Sequence, residues 1–193
     1  MEKLARKITD SFIINKVIGE EVREVYVYGF NLVLEVGLNL IICLVFSSVI
    51  RMLPEAVMFL AVFQLLRSYS GGVHLNSYLA CSVLSNIVVF TILLAAKFIT
   101  IPFAINMAVF LISAFVIFMI GPVEDINRPL TPEEKKNFRK KSGYALIFIS
   151  LIYMLLYQFR CERLLVVLMY TLILMIAVQI SGKIRLHFHK SSN

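Results

Sequence analysis

The sequence predicts an all-α, polytopic transmembrane bundle, and three observations carry that expectation. Hydrophobic residues make up 60% of the 193-residue chain and the mean hydropathy is +0.86. Soluble domains average roughly 45–50% apolar residues, so the excess calls for lipid contact. The apolar residues also gather into stretches near the roughly 20 residues that a spanning helix needs. About six spans are expected, with four as the lower bound. They leave room for one membrane-embedded domain over residues 1–193 and for no large soluble domain.

Residues 1–24 open the chain with Leu4, Ile8, Phe12, Ile13, Val17 and Ile18, apolar residues recurring at three- and four-residue steps among basic residues. This pattern fits an amphipathic helix on the membrane surface. A solvated helix packed on the rest of the protein is the other reading. The stretch lacks the compact apolar core and small-residue cleavage site of a signal peptide. A first span is expected over about Tyr26–Ile50, with Glu35 and Asn39 on one face. Helix–helix hydrogen bonding is the expected role of that pair. A short second segment follows over about Pro54–Tyr69, with Pro54 in the first turn. It barely crosses the hydrocarbon, and a re-entrant form would lower the span count.

Ser68–Gly72 should break that helix, because paired glycines favour a turn. The third span should start near Asn76 or Ser77 and reach about Ala96, and the fourth should cover about Phe103–Ile120. Gly121-Pro122 ends it. A hydrophilic, basic loop spans 121–142, within which Thr131-Pro132-Glu133-Glu134 is a helix-start signal. Spans over about Tyr144–Phe159 and Leu164–Ile180 precede a basic tail at 182–193.

Charge sets the expected orientation. Only Arg51, Lys97, Arg160 and Arg163 lie in the turns of one side, while the other 15 of the 19 Lys and Arg residues lie on the opposite side. Positive residues prefer the cytoplasm. Both termini, the 67–77 turn and the basic loop are therefore expected at the cytoplasmic face of the cell membrane. The net charge of +7 then reflects orientation and contact with anionic lipid, not nucleic-acid binding, since the cations sit in short loops. Cys43, Cys81 and Cys161 are odd in number and scattered, which argues against a disulfide framework. No cluster has metal-ligand spacing, His187 and His189 in the tail included, and nothing in the residues calls for a cofactor.

The chemistry concentrates in Arg67-Ser-Tyr-Ser-Gly71-Gly72-Val-His74-Leu-Asn-Ser77-Tyr-Leu-Ala-Cys81. A thiol nucleophile needs an imidazole within hydrogen-bond reach. A straight helix would hold residues 74 and 81 about 10.5 Å apart along its axis, too far for proton transfer. The helix must therefore start after His74, with the glycine turn folding His74 back. If Ser77 caps it, Cys81 lies about one turn in, where the positive helix end favours a thiolate. The free amides there are candidates for holding an oxyanion. Spacing alone leaves two bland roles open: a small buried filler for Cys81 and an interfacial polar residue for His74.

Arg67, Gly71-Gly72-Val-His74, six further residues and Cys81 resemble the core motif of the AgrB family of membrane endopeptidases, which serve Gram-positive quorum sensing. Gly121-Pro122-Val-Glu-Asp-Ile-Asn-Arg-Pro129-Leu and the basic run after it resemble the cytoplasmic loop of the same family. The resemblance implies a cysteine endopeptidase acting on a short AgrD-type precursor peptide. Cys81 would attack a peptide bond, His74 would serve as base and acid, and the precursor would remain on Cys81 as a thioester. A cysteine or serine of the peptide would then close a thiolactone or lactone. A homodimer is compatible with the resemblance. Arg67 would hold a substrate carboxylate or anchor the turn to lipid phosphate. Lys135, Lys136, Arg139, Lys140 and Lys141 would bind an acidic precursor tail, or only orient the protein. Ser70, Asn76, Gln64 and Asn86 are candidates for a third catalytic group, beside an unassisted dyad. A peptide exporter and a non-catalytic membrane protein are the competing functions, but an exporter would be expected to show broken spans in matching halves.

Overall fold

A computed structural model describes residues 2–71, 78–124 and 130–191, and every regular element among them is a helix. The order is α1 (Glu2–Ile14), a 3₁₀ turn (Glu20–Val22), α2 (Arg23–Val49), α3 (Leu53–Ser70), α4 (Tyr78–Phe98), α5 (Phe103–Ile120), α6 (Pro132–Gln158) and α7 (Glu162–Ser191). Among the described residues four segments are long and apolar enough to cross a membrane: Glu20–Val49, Phe103–Ile120, Pro132–Gln158 and Glu162–Phe188. The count lies within the expected four to six. α4, 21 residues long, is apolar from Ser82 to Phe98. α3 carries Glu55, Gln64 and Arg67 and falls below the others in apolar character, as its sequence foreshadows.

The helices form two apolar clusters that share α3 and α7. In the first, Val62 and Leu66 of α3 meet Phe110 and Ile117 of α5, Leu146 and Ile149 of α6, and Leu168 and Leu172 of α7. In the second, Ala56 and Phe59 of α3 meet Cys43 of α2, Val89 and Leu93 of α4, and Val167 of α7. Half of the most apolar stretch of α7 is buried, against 11% for α2. α7 is thus the central helix, and α2 turns Val25, Val33, Val36, Ile41, Val45 and Val49 outward. Such a face is unfavourable in water and natural against lipid. One buried polar pair joins α5 to α6: the Tyr153 hydroxyl donates to Asn106 Oδ1 at 2.8 Å.

Three boundaries differ from the sequence reading. The N-terminal helix stops at Ile14 and does not run to residue 24. Lys16 adopts a left-handed conformation, φ 56°, while its amide bonds the Ile13 carbonyl and the Val17 amide bonds that of Phe12. That pattern is a Schellman closure. It lets α1 fold back on α2, where Ala5 and Thr9 are buried, Phe12 meets Phe30, and Arg23 pairs with Asp10 at 2.7 Å. Arg6 also reaches Glu24, and its hydrogen bond to Glu2 raises its affinity for its proton further. Second, much of the 121–142 loop is helical, because α6 starts at Pro132. The start signal is real: Thr131 accepts from the Glu134 amide and Glu134 accepts from the Thr131 amide, a full capping box. Third, the basic tail continues α7 to Ser191.

Candidate functional site

Gly72, His74, Asn76 and Ser77 lie outside the described residues. What is described are the two helix ends that hold them. α3 ends at Ser70 and Gly71 closes it, its amide bonding the Arg67 carbonyl at 3.1 Å. α4 begins at Tyr78, so Cys81 is its fourth residue and its backbone sits in the first turn.

The end of α3 is locked onto two other helices. Ser70 and Ser142 of α6 are both buried, their hydroxyls 2.9 Å apart and hydrogen-bonded. The Val123 amide, just past α5, donates to the Ser70 carbonyl at 3.0 Å. From α7, Gln179 Nε2 donates to the Gly121 carbonyl at 3.1 Å. Gly71 has φ 72° and ψ −168°, a region open essentially only to glycine. A side chain there would also run into the Val123 carbonyl oxygen. The first glycine of the turn is thus required twice, by its own dihedrals and by its neighbour.

The predicted basic residues separate into two groups. Lys135 pairs with Glu124, whose side chain is mostly buried. The Arg139 guanidinium stands 5.1 Å from the Phe118 ring centre and the Lys141 ammonium 5.8 Å from that of Tyr69. These contacts tie α6 to α5 and α3. Lys136 and Lys140 are exposed and have no side-chain partner among the described residues. Arg67 stands 5.8 Å from the Phe63 ring centre, one turn back on α3.

Three of the candidates for a third catalytic group can be placed. Ser70 is committed to Ser142. Asn86 donates to Asn39 Oδ1 at 2.7 Å and to the Ser82 carbonyl at 3.0 Å, joining α2 to α4. Asn39 thus makes the helix–helix bond expected of it. Gln64 is exposed on α3. Of the other thiols, Cys43 is buried in the second apolar cluster. Cys161 follows α6, at the end where Tyr157 stacks on Phe103, opposite the Ser142 end. Among the described residues no group of His, Cys, Asp and Glu could hold a metal.

Residues 1–182 match the family model described as Accessory gene regulator B. An AgrB-like protein of Clostridium perfringens strain SM101 is 27% identical over 168 residues, covering 81% of this chain and 78% of the relative. A second AgrB-like protein, from C. perfringens strain 13, is 26% identical over the same length and shares. No solved structure matches. The match takes in the glycine turn, Cys81, the basic loop and nearly all of α7, and the four apolar helices make the chain a multi-pass membrane protein. The chain belongs to the accessory gene regulator B (AgrB) family.

Proposed function

We propose that the chain is a cysteine endopeptidase that processes an AgrD-type precursor peptide at the cytoplasmic face of the membrane, with Cys81 as nucleophile and His74 as its base and acid. The observation that carries this reading is the start of α4 at Tyr78. It sets Cys81 in a first helical turn, where unpaired amides and the helix dipole favour a thiolate and a developing oxyanion. Family membership supplies the substrate class.

In this mechanism His74 takes the proton of Cys81, and the thiolate attacks the scissile carbonyl. The protonated imidazole gives its proton to the leaving amine, the C-terminal fragment departs, and a thioester remains on Cys81. A cysteine thiol within the bound peptide, deprotonated by His74, then attacks the thioester carbonyl. Cys81 leaves as thiolate and recovers the proton, and the ring closes as a thiolactone; a serine would close a lactone. The thioester keeps its acyl energy only if water is excluded. The tight seam of Ser70, Val123, Ser142 and Gln179 beside the turn favours that. Lys136 and Lys140, without a side-chain partner among the described residues, suit an acidic segment of the precursor. The cytoplasmic placement is supported by the excess of cations at this end, above all at the start of α6, over Arg51, Lys97, Arg160 and Arg163 at the other.

The thioester gives the direct test. Purified protein in lipid vesicles is mixed with a precursor in which the ring-closing residue is alanine, and the mass of the Cys81 peptide is followed. The expected result is an adduct on Cys81 with the mass of the precursor's N-terminal part, released by hydroxylamine. Cleavage of that precursor with the label on another residue would overturn the assignment.

A further inference from the structure

Among the described residues, the non-glycine residues with positive φ are Lys16, Arg51 and Arg160, at 56°, 58° and 54°. All three are basic, and each stands just past the end of a helix: α1, α2 and α6. The Arg51 amide bonds the Ser48 carbonyl and the Met52 amide that of Ser47. The Arg160 amide bonds the Tyr157 carbonyl and the Cys161 amide that of Leu156. These are the same paired bonds as at Lys16, and they define a position that glycine usually fills. A long side chain held there is strained, so its presence calls for a reason.

The helix dipole is not a sufficient one. A cation favours a helix C-terminus from anywhere in the last turn, where no left-handed backbone is needed. The membrane boundary gives a fuller account. Arg51 and Arg160 lie in the turns at the end of the bundle away from the Ser70–Ser142 seam. Side chains within a helix lean toward its N-terminus, which for α2 and α6 means back along the apolar bundle. A residue just past the last turn escapes that lean. Both arginines are exposed and have no side-chain partner among the described residues. Large apolar side chains accompany them: Val49 is 78% exposed and Phe159 69%. Each arginine also has a second cation nearby. Lys97 Nζ is 3.0 Å from the carbonyl of Ile50, the residue before Arg51, and Arg163 is exposed in the first turn of α7.

We propose that Arg51 with Lys97, and Arg160 with Arg163, are two seats for the phosphate of lipid headgroups. Each guanidinium fork takes phosphate oxygens, while Val49 and Phe159 lie against the acyl chains. The seats fix the depth of α2 and α6 in the bilayer. This inference rests on the multi-pass fold and stands apart from the peptidase reading.

The test turns on the strain. Arg51→Gly with Arg160→Gly relieves the backbone and removes both guanidinium groups at once. In neutral maltoside micelles, which carry no phosphate, this double variant should melt at the parent's midpoint or a few degrees above it. In nanodiscs of phosphatidylglycerol it should melt about 5 °C below the parent, because the parent alone gains the headgroup bonds. Arg51→Lys with Arg160→Lys keeps the charge and should retain most of that gain. Arg51→Gln with Arg160→Gln keeps the strain and should lose the gain, and it carries the test if the glycine variant does not accumulate. Equal gains by the parent and the uncharged variants on moving from micelle to nanodisc would overturn the inference. A gain of the same size when inorganic phosphate is added to the parent in micelles would overturn it too, since the seats would then be general anion sites.

Discussion

Cys81→Ala and His74→Ala are each expected to abolish release of the precursor's C-terminal part, by about a thousandfold or more, while the protein accumulates normally. Removing either member of a nucleophile–base pair costs nearly as much as removing both, so the double variant should be no worse than the singles. Co-expression with the precursor, followed by its size on a gel, reads the outcome. Cys43→Ala and Cys161→Ala should retain cleavage. Cys43 is packed among apolar side chains of α2, α3, α4 and α7. Cys161 lies beyond the far end of α6, whose 16 residues from Ser142 to Gln158 span about 24 Å of helix. Cleavage that persists in Cys81→Ala would end the enzyme assignment.

Gly71→Ala should produce the largest structural effect. The residue's dihedrals alone would cost about 1–3 kcal/mol in alanine. The added carbon also meets a backbone carbonyl, that of Val123, which cannot swing aside as a flexible side chain would. Relief requires breaking the Val123–Ser70 hydrogen bond and lifting the end of α3 from α6. A loss of about 3 kcal/mol or more is expected, seen as a lower midpoint of thermal unfolding and reduced yield. Gly121 is the internal control. It has nearly the same conformation, φ 70°, yet nothing lies within 4 Å of a carbon added there. Gly121→Ala should therefore cost only the backbone term, and equal effects of the two substitutions would contradict the proposed clash.

The elements with strong local signals were legible in the sequence. α5 spans Phe103–Ile120, as its apolar run between Pro102 and Gly121-Pro122 indicates. Thr131 caps α6 through bonds within four residues of itself, so its motif could be read directly. The break in α1 was not legible. Val17 and Ile18 continue the helical period past Lys16, and the turn is fixed by docking on α2 through Arg23–Asp10 and Phe12–Phe30. The seam beside the site was also hidden, because Ser70 and Ser142 are 72 positions apart and carry no pattern that pairs them. The basic residues read as one cluster by spacing. Only the structure separates Lys135, Arg139 and Lys141, which hold α6 to its neighbours, from Lys136 and Lys140. Glu35 and Asn39 were visible as a shared face. That Asn39 bonds Asn86 of α4 follows from the packing of two helices that are not consecutive.

The proposed mechanism makes one spatial demand, that residue 74 lie beside residue 81. A cross-link tests it most directly. In a chain lacking Cys43 and Cys161, His74→Cys should form a disulfide with Cys81 on mild oxidation in native membranes, because bridged residues need Cα atoms roughly 4.4–6.8 Å apart. The paired control is Ser70→Cys with Ser142→Cys, whose parent hydroxyls are 2.9 Å apart, in a chain that also lacks Cys81. Closure of both pairs is the expected result. Closure of the control alone, with positions 74 and 81 still reduced, would contradict the account.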